Sequence, residues 1–151
     1  MSEGAKKSVQ LIEMICNASA MTNKWIMWAD RAFSEQASYA ISIYQLRDAF
    51  SHIMSMFTYG FTKEFLHADD SAQIDDWEGF YNSTETYNQL RDTFGHVARA
   101  FFDCADYIHM MLSSVTLTDD ESNVFLSRFL ERYSKDVDNL RIAKSEQEGV
   151  T

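Results

Sequence analysis

The residues best equipped for chemistry come in two matched sets. Gln45-Leu46-Arg47-Asp48-Ala49-Phe50-Ser51-His52 is followed 44 positions later by Gln89-Leu90-Arg91-Asp92-Thr93-Phe94-Gly95-His96, and six of the eight positions are identical. The other two exchange one small residue for another, and the match continues weakly as Ile53 with Val97 and Phe57 with Phe101. Histidine is the side chain whose ordinary pKa lies near neutrality, so it can act as general base or general acid. Arginine adds a permanent charge and a planar fork suited to phosphate. Aspartate can orient either one. Together they are tools for proton transfer beside a bound anion.

Part of the repeat is packing. Leu46, Phe50, Ile53 and Phe57 fall on one face of a helix, and Leu90, Phe94, Val97 and Phe101 repeat that face. A core stripe accounts for these positions without any chemistry. It does not account for Arg, Asp and His. Asp48 and His52 are four apart and so neighbours on a helix surface, as are Asp92 and His96. Each Arg and His are five apart, about 140° around the helix, and would flank a shallow groove. An Arg-x4-His is expected only about 0.2 times by chance in a chain of this composition, and two inside matching octets far less often. The structural alternative is a duplicated helical hairpin whose Asp–His and Arg–carboxylate pairs only hold helices together.

The pattern of Arg, a polar residue and a His five positions after the Arg, in a small helical chain, resembles the motif of HEPN domains (higher eukaryotes and prokaryotes nucleotide-binding). The resemblance implies a metal-independent endoribonuclease of the kind found in toxin–antitoxin and phage-defence systems. Its active site would form where two motifs come together, usually from two paired domains, so it also implies a homodimer. By that resemblance Arg47, Asp48 and His52 match one motif, and Arg91, Asp92 and His96 the other. The Tyr that follows the His by two in one toxin subgroup is replaced by Met54 and Ala98. RNA would be the substrate, with His52 and His96 as base and acid in either order and Arg47 and Arg91 on phosphate. No metal or cofactor is implied.

A sharper expectation follows from having both motifs in one chain. If the second helix stops near Gly60 and the next starts near Ser83, the motifs lie at similar depths on a hairpin and face each other. If that helix runs on to Leu66, they miss.

The elements must then position these residues. At 151 residues with 46% hydrophobic content the chain is expected to form one domain with a real core. It has no proline and five glycines, which suits helices and not a sheet protein with many tight turns. The expected fold is an all-α antiparallel bundle of four to five helices, with 1–5 and 145–151 loose at the ends. The first amphipathic segment starts near Lys6 with Val9, Ile12, Ile15 and Cys16 on one side. The polar, small stretch Asn17–Asn23 predicts a bend. A helix from Lys24 to Tyr59 comes next, then a connector over 68–82 and a helix over Thr84–Ser113. Thr118 and Glu121 match a capping box for a last helix reaching about Lys144, with Val124, Phe125, Phe129, Tyr133, Val137 and Leu140 available for its inner face.

Net charge is -10, which repels nucleic acid at long range. RNA binding therefore needs a local basic site. Arg128, Arg132 and Arg141 offer a small strip, though Glu131, Asp136 and Asp138 alternate with them and suggest a charge-paired face. The acidic balance also fits a non-enzymatic helical interaction protein, an assembly subunit or an inhibitor of a basic nucleic-acid-binding partner. Trp77, Phe80 and Tyr81 in the connector either fold back on the bundle or anchor a protein partner. Cys16 and Cys104 read as two buried free thiols, which suits a reducing cytoplasm. Asp106 and His109 only faintly resemble a di-iron pair, because matching ligands on facing helices are missing. His67 reads as a helix-end residue. Glu13 and Asn17 interrupt the first apolar stretch, and no run approaches the roughly 18 apolar residues that a membrane helix needs.

Overall fold

The computed structural model describes residues 1–32, 40–62, 65, 74–113 and 120–148. They form an all-α bundle of five helices: α1 Glu3–Ala32, α2 Ala40–Gly60, α3 Trp77–Asn82, α4 Thr84–Ser113 and α5 Asp120–Glu148. No strand occurs among the described residues, and no helix among them is long and apolar enough to cross a membrane.

α4 is the centre of the bundle and packs on α1, α2, α3 and α5. Its Leu90, Phe94, Val97, Phe101, Cys104 and Ile108 are buried at helical spacing, joining Leu11, Ile15, Ala18 and Trp25 of α1 in the core. α1 enters the bundle beside the start of α4, where the Ser8 hydroxyl donates to the Tyr81 carbonyl at 2.6 Å. α2 runs opposite to α4, since Gln45 meets His96 and His52 meets Gln89.

The bend expected at Asn17–Asn23 is absent, for α1 is one helix through this stretch. Its buried row runs Ser8, Leu11, Ile15, Ala18, Thr22, Trp25, Ala29 at alternating steps of three and four. Thr22 is polar but harmless there, because its hydroxyl donates to the Ala18 carbonyl at 2.8 Å. The helix expected from Lys24 to Tyr59 is likewise two elements, α1 ending at Ala32 and α2 starting at Ala40.

The first and last helices also extend further than expected, α1 starting at Glu3. The Ser2 amide donates to Glu78 at 2.6 Å and its hydroxyl to Asn82 at 2.9 Å, so the start of α1 is tied to α3. α5 continues past Lys144 to Glu148. Val137 and Leu140 are buried, while Val124 is exposed. The expected Thr118 cap and His67 lie outside the described residues, as do the side chains of Glu121, Phe125 and Phe129. Cys104 is buried, which pushes its thiol pKa up to about 11. Cys16 is exposed, correcting the expectation of two buried thiols; the buried row of α1 passes through Ile15 instead.

The connector ends in the single-turn helix α3, whose first turn is capped by the Asp76 carboxylate accepting from the Gly79 amide at 2.8 Å. Phe80 is 0% exposed and so anchors no partner. Its ring sits over Gly60, where an added Cβ would come within 2.7 Å of it. Gly60 thus lets α3 close against the end of α2. Trp77 stays on the surface, stacked on Tyr81 with centroids 5.8 Å apart. Ser83 then closes α3 and opens α4, its hydroxyl accepting from the Thr86 amide at 3.1 Å.

Candidate functional site

α2 ends at Gly60 and α4 begins at Thr84, which meets the condition for the two motifs to face each other. The seam between these helices is itself duplicated. Ser42, Gln45, Ala49, His52 and Met56 line it from α2, and Thr86, Gln89, Thr93, His96 and Ala100 occupy the same places in the second copy. Ser42, Ala49, Met56, Thr86, Thr93 and Ala100 are buried, and the glutamines and histidines between them are half-buried.

At the middle of this seam the His52 and His96 rings stack, centroids 5.2 Å apart and planes 25° from parallel. Each ring is held by the glutamine of the opposite motif. His52 Nδ1 lies 2.7 Å from Gln89 Oε1, and His96 Nδ1 lies 2.8 Å from Gln45 Oε1. The Gln89 amide orientation is fixed by a second bond, its NH2 donating to Glu85 at 2.8 Å. The carbonyl therefore faces His52, so Nδ1 carries the proton and Nε2 is the atom left to exchange one. Neither Nε2 has a hydrogen-bond partner among the described residues.

The two rings line an open pocket of about 580 Å³, with Tyr87, Arg91, Asp92, Gly95 and Arg99 of α4 and Lys144 of α5 completing its wall. Three cations face one carboxylate here, a locally positive hollow in a strongly acidic chain. His96 is held below the usual histidine range, first by burial, then by Arg99 and His52, with Asp48 and Asp92 opposing.

The six residues singled out from the sequence are not used symmetrically. His52, Arg91, Asp92 and His96 reach the pocket. Arg47 and Asp48 do not line it. Arg47 lies over the Tyr44 ring at 5.4 Å and donates to Asp48 at 2.8 Å, which holds that carboxyl below its ordinary value. Arg91 grips Asp92 in the same way at 3.0 Å. The aspartates thus position the arginines, and the glutamines orient the histidines.

The core stripe splits the same way. Phe94 is 1% exposed and Phe50, its equivalent, is 60% exposed. α1 covers that face of α4, whereas among the described residues α2 packs extensively only on α4. Sequence reasoning missed Tyr87, Arg99 and Lys144. Tyr87, Arg91, Gly95 and Arg99 form one i, i+4 row, a signal that could have found Arg99. Lys144 arrives from another helix and left no such signal. Among the described residues no group of three His, Cys, Asp or Glu is placed to hold a metal.

The chain matches no family model, no curated protein and no solved structure.

Proposed function

We propose that this chain is a HEPN-like, metal-independent endoribonuclease acting as a toxin or phage-defence effector, with both motifs contributing to one site. The observation that carries the reading is the His52–His96 stack at the rim of a basic pocket, each ring clamped at Nδ1 by the other motif's glutamine.

The chemistry follows from the two imidazoles. His96, with its lowered pKa, is the neutral partner near pH 7 and takes the proton of a ribose 2′-OH at Nε2. The 2′-oxygen attacks the adjacent phosphorus and the bond to the 5′-oxygen breaks. His52 Nε2 is the atom assigned to deliver a proton to that leaving oxygen. The products are a 2′,3′-cyclic phosphate and a 5′-hydroxyl. Arg91 and Arg99 face the phosphate and stabilise its added charge. Arg47, outside the pocket, is assigned to holding Asp48 in place.

RNA cleavage in EDTA by the parent chain, compared with His52→Ala and His96→Ala, tests this reading. The parent cleaves and each variant loses at least about a hundredfold, the usual contribution of general acid–base catalysis. Equal activity in all three removes the site as drawn.

One observation favours a second reading, that of a non-enzymatic interaction protein. The outer face of α2 exposes Ile43, Phe50 and Met54, and Phe61 just past its end is exposed too, an apolar stripe of the kind that binds protein. A homodimer formed through this face is compatible with either function.

A further inference from the structure

The repeat that aligns the histidines also leaves one face of the fold unfilled. Gln45 reaches His96 and Gln89 reaches His52, so an approximate two-fold axis passes between the stacked rings and exchanges α2 with α4. α1 packs along α4, and the apolar face of that second copy is closed. Leu90, Phe94, Val97, Ala98, Phe101 and Ala105 are each 3% exposed or less. The same positions in the first copy are Leu46, Phe50, Ile53, Met54, Phe57 and Phe61. Here Leu46, Ile53 and Phe57 are half-buried, and Phe50, Met54 and Phe61 are 60%, 48% and 51% exposed. The axis that carries α4 onto α2 carries α1 onto a place alongside Phe50 that no described helix fills.

The character of the missing helix is written in α1. Its buried row, Ala5, Ser8, Leu11, Ile15, Ala18 and Thr22, is mostly small, and small side chains let a helix lie close over phenylalanines. α1 alone among the five helices carries a net positive charge, with Lys6, Lys7, Lys24 and Arg31 against Glu3, Glu13 and Asp30. The rest of the chain has nine basic side chains against twenty acidic ones. Lys24 shows that charge in use. It donates to Asp136 of α5 at 2.9 Å, and the same carboxylate oxygen accepts from the Trp25 indole at 3.0 Å. α2 carries only Arg47 and Asp48, which are paired with each other at 2.8 Å. Its outer face is therefore apolar and neutral, set in a strongly acidic body.

We propose that the outer face of α2 docks an amphipathic helix of another protein, basic along its flanks and lying over Phe50 and Met54 as α1 lies along α4. One helix recognises another through apolar residues three and four apart, and the row from Leu46 to Phe61 has that spacing. A second copy of this chain is the poorer fit, because two bodies of net charge -10 repel each other. A basic helix is drawn to the same body and meets no misplaced charge where it sits. Docking here rests on the interaction reading of that stripe and gives it a particular occupant. It is independent of whether the histidine pair cleaves RNA.

The probe is a fluorescein-labelled peptide with the sequence of α1, Glu3–Ala32, titrated with the full chain and followed by anisotropy. Within the chain α4 is already covered, so α2 is the face left to receive it. The peptide binds, and a Phe50→Ser/Met54→Ser double variant weakens it at least about tenfold, since two central apolar anchors are lost. Both side chains are exposed, and an unchanged circular dichroism spectrum shows that the variant still folds. Changing Lys6, Lys7, Lys24 and Arg31 of the peptide to glutamate keeps the apolar row, yet weakens binding at least about tenfold at low salt. Sedimentation of the chain alone reads the competing occupant, and the chain stays monomeric. Binding that survives the double substitution overturns the proposal, and so does a charge-reversed peptide that binds equally well. The absence of binding at millimolar chain overturns it too. A dimer that the double substitution dissociates keeps the stripe as an interaction face but gives it to a second copy, which overturns the occupant named here.

Discussion

Replacing His52 by asparagine removes one ring of the stacked pair and raises the pKa of His96. The size of the effect follows from the stack. Two unit charges 5.2 Å apart repel by about 0.8 kcal/mol in a water-like medium and about 3 kcal/mol at an effective dielectric of about 20. His96 is half-buried on a seam open to solvent, so its pKa rises back towards the ordinary histidine range. Stability must follow. His96 titrates below its ordinary 6.5 in the folded chain, so the unfolded chain binds more protons as pH falls through that value. The folded state therefore loses stability between pH 6.5 and the lower folded pKa, and His52→Asn lessens that loss. The assay is an NMR titration of the His96 ring in both proteins, with Tm recorded from pH 8 to pH 5. An unchanged His96 titration would refute the coupling and with it the stack.

Other substitutions test the packing that holds the site. Phe94→Ala empties a fully buried position of α4 and should cost about 3–5 kcal/mol. Phe50→Ala, at the equivalent place in the repeat, should change stability by less than about 0.5 kcal/mol because that ring is exposed. Urea unfolding of both variants checks the pair, and equal losses would mean that α2 is covered as α4 is. Asp136→Ala strands the Trp25 indole N–H, which is half-buried at that contact, and should cost about 1–3 kcal/mol by the same measurement.

Much of this was legible because the motif repeats. Two copies of one octet fixed the spacing of the histidines, and the end of α2 at Gly60 brought them level. The all-α bundle was legible from helical periodicity and the absence of proline. Other features depended on which helix meets which. Gln45 and Gln89 stand seven before their own histidines, and nothing local says that each would hold the other motif's ring. An aspartate four residues away was the nearer candidate, but Arg47 and Arg91 claim those carboxylates. The polar run in α1 reads as a bend until Ala18 and Thr22 are seen to be the small side chains at which that helix packs into the core. Phe50 and Phe94 read alike, and only the position of α1 separates them.

The central claim is that both histidines of one chain serve one site. The direct test mixes equal amounts of the His52→Ala and His96→Ala chains and measures RNA cleavage in EDTA. A site contained within each chain predicts a mixture no more active than either variant alone. Recovery towards a quarter of the parent rate would instead show that the working pair is assembled between two chains.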